Sequence, residues 1–314
     1  MQVISPPHLP PPAPSVVALG NFDGIHLGHV RLLQHAVETA RREGLPAYVL
    51  TFTPHPQAVL NGVPVPLLLD REEKEAKLAA LGIDFLVYWP FTVSLMQMAP
   101  EEFVREVLWR HFHPRVVCVG FNFTFGHGGR GTAAELARLG ERFGFRTLIE
   151  AAVMVDGMVV SSSAIRAALT RGNIGTARKL LGYWPYRRGR VVPGNRRGRS
   201  LGYATANLLP PPEVLCPAPG VYAARTRVEE RWWPSVLNLG SRPTFGEDLP
   251  PTLEVHLLDY HGGELYGREI LVEFRRRLRP ERKFASPEEL RAQIQRDAEE
   301  ARRLLAPEAK RIDA

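Results

Sequence analysis

Residues 15–29 read SVVALGNFDGIHLGH, and how this stretch is read decides the first half of the chain. Ser15 to Phe22 carries the uninterrupted apolar run Val16–Leu19, the pattern of a buried strand. From His29 to Glu43, Leu32, Leu33, Ala36, Val37 and Ala40 recur at helical spacing, and Gly44 supplies a stop. Strand therefore turns into helix across GNFDGIH. Gly20 and Gly24 let backbone approach a ligand closely, and the free amides of a helix start favour an anion. His26 and His29, three apart, share one face there. Two imidazoles beside free amides suit a nucleotide triphosphate whose charge grows during transfer. Zinc is the rival reading, although the nearest carboxylate is Asp23 and no Cys is close. Local reasoning leaves metal, phosphate, an acid/base pair and plain packing open, with phosphate ahead.

Outward from this stretch the alternation continues. AYVLTF (47–52), DFLVYW (84–89), RVVCVGFNF (115–123) and FRTLIEA (145–151) read as strands. Between them, 71–81, 100–112 and 132–143 read as helices. Short β-rich runs separated by helices predict an α/β unit with a mainly parallel sheet, whose ligands bind at the carboxyl ends of the strands. After residue 183 the pattern changes. Runs at 221–228, 232–240, 253–260 and 269–278, punctuated by Gly and Pro, predict a small antiparallel barrel or sandwich. Residues 286–305 then open with Ser286, Pro287 and two acids, predicting a closing helix. The expected domains are 1–184 and 185–314.

At 314 residues the chain has room for two domains, and 45% hydrophobic with 23% charged residues is ordinary for a globular protein. No apolar run approaches the roughly 20 residues of a membrane span, and the proline-rich start lacks the apolar segment of a secretory signal. Cys118 lies in an apolar run, where a buried thiol fits better than a disulfide. A cytoplasmic protein without membrane partner is expected. The formal charge of +7 is concentrated in RRGRVVPGNRRGR (187–199), with six arginines and no acid. Interleaved glycines favour a loop wrapping a phosphate over a helix tracking nucleic acid.

The opening stretch resembles the HxGH signature of the nucleotidyltransferase superfamily, with a GNFDG lead-in similar to that of the bacterial bifunctional riboflavin kinase/FMN adenylyltransferase family, often called FAD synthetases. Further motifs follow in order: TFTPHP (51–56), GFNFTFGHGGRGT (120–132), SSSAIR (161–166), GRSLGYATANL (198–208), LGSRPTF (239–245), LEVHLLDY (253–260), LYGREI (265–270) and LRPERKF (278–284). The series spans nearly the whole chain. It implies a Rossmann-like nucleotidyltransferase domain followed by a riboflavin kinase barrel. The implied substrates are riboflavin, FMN and ATP, with Mg²⁺ as cofactor.

The resemblance also implies roles. His26 and His29 would handle the ATP phosphates of adenylyl transfer, with Gly20, Asn21, Asp23 and Gly24 around them. Ser161, Ser162 and Arg166 would supply donors to the same phosphates. His55, Asn122 and Arg279 would contact flavin; the family often carries Asp where Asn122 stands. Gly194, Gly198 and Arg199, with Gly202, Arg196 and Arg197, would form a flap over nucleotide phosphates. Thr205 and Asn207, two apart and so on one side of an extended segment, would hold Mg²⁺. Glu254, alternating with Leu253 and Val255, would be the kinase general base. One position departs: Ala204 replaces the motif's Pro, which predicts weaker pre-organisation rather than lost function. Two alternatives are an adenylyltransferase with an impaired kinase module, and a nucleic-acid binder on a degenerate scaffold. Retention of His26, His29, Thr205, Asn207 and Glu254 weighs against the second. The oligomeric state is not readable from the chain.

Overall fold

The computed structural model describes residues 1–193, 204–240 and 252–309, without the side chains at 204, 252 and 307–309. The chain forms two compact units, Met1–Ser162 and Ser163–Ala314.

The first unit is built on a six-stranded parallel sheet. Its elements run β1 (Gln2–Ile4), β2 (Ser15–Leu19), α1 (Leu27–Glu43), β3 (Ala47–Thr53), α2 (Pro56–Asn61), α3 (Arg71–Ala80) and β4 (Phe85–Pro90). A broken helical run follows: α4 (Val93–Gln97), α5 (Pro100–Phe103), a π-helical stretch (Val104–Trp109) and α6 (Arg110–Phe112). The sequence predicts one continuous helix over 100–112; Pro100 does start it, but its middle is π-helical. Next come β5 (Pro114–Gly120), the small antiparallel pair β6 (Thr124–Phe125) and β7 (Gly131–Thr132), α7 (Ala133–Phe143), β8 (Arg146–Glu150), and the hairpin β9 (Met154–Val155) and β10 (Met158–Val159).

The sheet order is β1-β4-β3-β2-β5-β8. From β2 the chain adds strands on one side, then crosses to add β5 and β8 on the other. The carboxyl end of β2 is therefore the switch point, where a crevice opens in sheets of this kind. Every residue of β2 is buried, as its apolar run predicts. One core cluster joins Val17, Leu19, Leu50, Val87 and Val119 to Val104, Leu108, Leu136 and Leu139.

The second unit contains α8 (Ser162–Thr170, from Ser163 onward), α9 (Ile174–Leu181), six strands and a closing helix. The strands β11 (Tyr186–Val192), β12 (Ala204–Leu208), β13 (Gly220–Val228), β14 (Arg231–Gly240), β15 (Thr252–Leu257) and β16 (Glu269–Arg279) close into an antiparallel barrel, order β11-β12-β15-β14-β13-β16. Ala206, Leu208, Leu237, Leu239, Leu253, Val255, Leu257, Val272 and Phe274 fill the interior. The closing helix α10 (Pro287–Ala309) starts as expected: the Ser286 hydroxyl accepts from the Glu289 amide at 3.2 Å. Ala298, Ala301 and Leu305 of α10 pack on Val221, Ala223 and Val236. The α/β unit followed by a barrel with a closing helix is the architecture read from the sequence.

Candidate active sites

Between Leu19 and Leu27 the backbone enters the left-handed region at Phe22 (φ 49°), Gly24 (φ 84°) and Ile25 (φ 36°). Glycine takes this conformation freely; Phe and especially β-branched Ile do not. Such residues cost about 1–3 kcal/mol each and persist only where their surroundings over-determine them. Here they do. Phe22 and Ile25 are buried. The buried Asp23 accepts from the Leu68 amide through Oδ1 at 2.9 Å, and its carbonyl accepts from the Ser162 hydroxyl at 2.8 Å. Lys74 of α3 donates from Nζ to the Asn21 carbonyl at 2.6 Å and to the Thr51 hydroxyl at 3.1 Å.

The turn delivers His26 as the N-cap of α1, its Nδ1 accepting from the His29 amide at 3.2 Å. An accepting Nδ1 carries no proton, so the neutral ring keeps its proton on Nε2. The His29 ring stacks on His26 with centroids 3.6 Å apart and planes 15° apart, and Phe22 meets His29 edge-on at 5.2 Å. Burial pulls His26 down to about 4. Burial, then the nearby His26 and Lys74, hold His29 well below the usual imidazole range. Both rings are neutral near pH 7 and work as hydrogen-bonding groups at a helix start. The Asp23 carboxylate already serves the Leu68 amide. Among the described residues, no three His, Cys, Asp or Glu are grouped to hold a metal ion.

The remaining predicted residues of this unit lie close by in the fold. Gly20, Asn21 and Gly24 are the turn itself. His55 follows the carboxyl end of β3 and caps α2, its Nδ1 accepting from the Gln57 amide at 3.2 Å. Asn122 follows the carboxyl end of β5. As β3 and β5 are the two neighbours of β2, His55 and Asn122 flank the histidine turn along one sheet edge. Ser161 and Ser162 open α8, while Arg166 belongs to the second unit.

In the barrel, β12 and β15 pair so that Thr205 lies opposite His256 and Asn207 opposite Glu254. On the other flank of β15, Asn238 of β14 is also opposite Glu254. Directly paired residues share a face. With Ala206, Leu208, Leu253, Val255 and Leu257 inside, Thr205, Asn207, Asn238, Glu254 and His256 all project outward. Thr205 Oγ1 and His256 Nδ1 are 3.2 Å apart. Burial lowers the His256 pKa, partly offset by Glu254. Thr205 and Asn207 share one side of β12, as their spacing predicts.

Arg279 is engaged elsewhere. Its Nε lies 3.1 Å from both carboxylate oxygens of Asp297, its Nη2 2.8 Å from Oδ2, and its Nη1 donates to the Pro280 carbonyl at 3.2 Å. It clamps α10 to the barrel; the flavin contact that the resemblance implies for Arg279 is a separate expectation. Gly194, Gly198 and Arg199, like Arg196, Arg197 and Gly202, lie outside the described residues.

Comparison with known proteins matches both parts of the chain. A model of the FAD synthetase family matches residues 10–164, and one of the riboflavin kinase family matches residues 181–305. The bifunctional riboflavin kinase/FMN adenylyltransferase of Escherichia coli K12 is 38% identical, covering 91% of each chain. The proteins of the same name from Listeria monocytogenes and Bacillus subtilis are each 36% identical, covering at least 92% of this chain and 92% of their own. This chain belongs to the bifunctional riboflavin kinase/FMN adenylyltransferase family. A crystal structure from Streptococcus pneumoniae described as a macrolide-efflux protein shares the fold, with a TM-score of 0.87, 31% identity, and coverage of 96% of this chain and 99% of that one. Among the described residues no helix is long and apolar enough to cross a membrane.

Within this family frame, the structure adds residues that the sequence reading did not single out. Lys74 reaches the histidine turn from a separate helix. His256 and Asn238 stand beside Thr205 and Glu254. For His256 the sequence held a signal, since LEVHL alternates apolar with polar residues, which places Glu254 and His256 on one face of the strand; Asn238 had only its place between Leu237 and Leu239.

Proposed function

We propose that the chain carries both activities of its family: phosphorylation of riboflavin to FMN by ATP, then adenylylation of FMN to FAD by a second ATP. The observation that carries this reading is the row Asn207–Glu254–Asn238, which gives the barrel a carboxylate for hydroxyl chemistry that the first unit does not need. In the kinase step the riboflavin 5′-hydroxyl oxygen attacks the γ-phosphorus of ATP. The P–O bond to ADP breaks, and Glu254 takes the hydroxyl proton. In the adenylyl step a phosphate oxygen of FMN attacks the α-phosphorus of ATP and pyrophosphate leaves. That nucleophile is already an anion, so no base is required. Neutral His26, held as the Nε2–H tautomer, and the stacked His29 bind phosphate oxygens with the amides of the α1 start. Ser161 and Ser162 add donors, and His55 and Asn122 contact FMN.

Thr205 and Asn207 bring a hydroxyl and a carboxamide oxygen to one face beside Glu254, a hard-oxygen donor set that fits Mg²⁺. When bound, Mg²⁺ neutralises phosphate charge. The two activities divide at about residue 184, and the enzyme works on small molecules in the cytoplasm, with no polynucleotide or membrane partner.

A time course with riboflavin, ATP and Mg²⁺, with the flavins separated chromatographically, tests the reading. FMN should appear first and FAD after it. FAD made only from supplied FMN would remove the kinase half, and salt-dependent polynucleotide binding without flavin turnover would remove both.

A further inference from the structure

Lys74 lies 53 residues from the histidine turn in sequence, yet its ammonium ends inside that turn. Helix α3 is set rigidly for this. Asp70 and Glu73 form a reciprocal capping box at its start, and Arg71 pairs with Glu75 at 2.7 Å. Two residues before Asp70, the Leu68 amide donates to Asp23. The chain 68–74 thus holds the turn at two points, the Asn21 carbonyl and the Asp23 carboxylate. These bracket Phe22, the first of its left-handed residues.

The ammonium also places positive charge behind the histidine pair. It faces Asp23 from the turn, Glu75 from its own helix, the Tyr88 ring of β4 at 5.7 Å, and His29 of α1. Arg71 lies over the same Tyr88 ring, its guanidinium 4.6 Å from the ring centre. A lysine at such a site is a compact charge whose pKa responds to burial, which an arginine's does not. Burial lowers Lys74 to about 8 despite Asp23 and Glu75.

We propose that Lys74 is a positioning residue for adenylyl transfer: its charged ammonium, bonded to the Asn21 carbonyl and Thr51, holds the turn that aims His26 and His29 at the ATP phosphates. The proposal rests on the two-activity reading above.

The test uses the full chain and both reactions. Wild type must first convert FMN to FAD; failure there overturns the functional reading rather than the role of Lys74. Lys74→Met should then lower kcat for FMN to FAD at least tenfold and leave KM for FMN within twofold, while riboflavin to FMN proceeds at the wild-type rate as a check on folding. Wild-type FAD formation should fall as pH rises through about 8, and this alkaline limb should be absent from Lys74→Met. A second variant guards against local misfolding. Lys74→Cys, with the partly exposed free Cys216 replaced by Ser and the buried Cys118 kept, is aminoethylated with 2-bromoethylamine, which restores a lysine-like ammonium made more acidic by its sulfur. It should recover FAD formation with the limb moved to lower pH. Wild-type kcat in Lys74→Met, an unchanged limb in that variant, or no recovery on aminoethylation would each overturn the proposal.

Discussion

Removing Asp297 isolates what the closing helix does for the barrel. Its carboxylate accepts from Arg279 through Nε and Nη2 and from Gln293 Nε2 at 2.7 Å. The side chains of Arg279 and Asp297 are only 18% and 5% exposed. Asp297→Ala leaves a mostly buried guanidinium without its counter-charge. Breaking such a pair from one side costs about 3–5 kcal/mol, and the residual exposure of Arg279 argues for about 3. For a unit of 150 residues or so, each kcal/mol moves the melting midpoint by about 2–4 °C, giving a fall of about 6–12 °C. The assay heats the enzyme in steps and measures riboflavin phosphorylation and FMN adenylylation on the same samples. FMN formation should fail earlier by that interval, with FAD formation from supplied FMN retained. Replacing both partners by apolar residues, Arg279→Met with Asp297→Leu, should restore most of the loss, because a buried ion pair barely exceeds its own desolvation cost. An unchanged midpoint in Asp297→Ala, or equal loss of both activities, would refute the reasoning. The double variant also decides what Arg279 does: full stability without FMN formation makes it a flavin contact, and full stability with FMN formation leaves it a clamp.

Three further outcomes are expected. His29→Ala should abolish FAD formation and spare FMN formation, and Glu254→Ala should do the reverse; parallel loss of both activities in either variant counts against separate sites. Burial holds His26 at about 4 in the folded chain against about 6.5 unfolded, so its contribution to stability is complete above pH 6.5 and drains away as pH falls toward 4. At about 1.4 kcal/mol per pKa unit this is on the order of 3 kcal/mol. Denaturant midpoints at pH 7 and pH 5 should show about 2 kcal/mol of this drop, reduced in His26→Asn, which keeps an N-cap. Gly126→Ala should destabilise the β6–β7 pair, since φ is 71° there and a Cβ would sit 2.9 Å from the Pro100 nitrogen; slower FAD formation with unaffected FMN formation is the readout.

Much of this molecule is legible in its sequence where information is local. The Val16–Leu19 run, the helical spacing after His29 and the Gly44 stop map onto β2, α1 and its left-handed cap. The spacing of Thr205 and Asn207 fixes their shared side because a strand has a period of two. What escaped needed chain segments brought together. Nothing in REEKEAK marks Lys74 as a partner of Asn21, and nothing in LRPERKF pairs Arg279 with Asp297. One hint was compositional: only five of the 40 basic residues are lysines, and one of them sits where a tunable charge is useful. The neutrality of the histidines was also hidden, because burial of the turn depends on Phe22 and Ile25 taking left-handed conformations that no propensity favours.

The pairing of β15 on both flanks carries a consequence for assembly. A slip of this strand by one residue would turn Glu254 and His256 into the barrel and push Leu253, Val255 and Leu257 out of its interior. The displaced leucines and valine and the entombed carboxylate would penalise the same mistake together. The apolar interior therefore proofreads the outward row against every slip by an odd number of residues: a barrel that has closed with its core intact has already turned Glu254 to the face that carries Asn207 and Asn238.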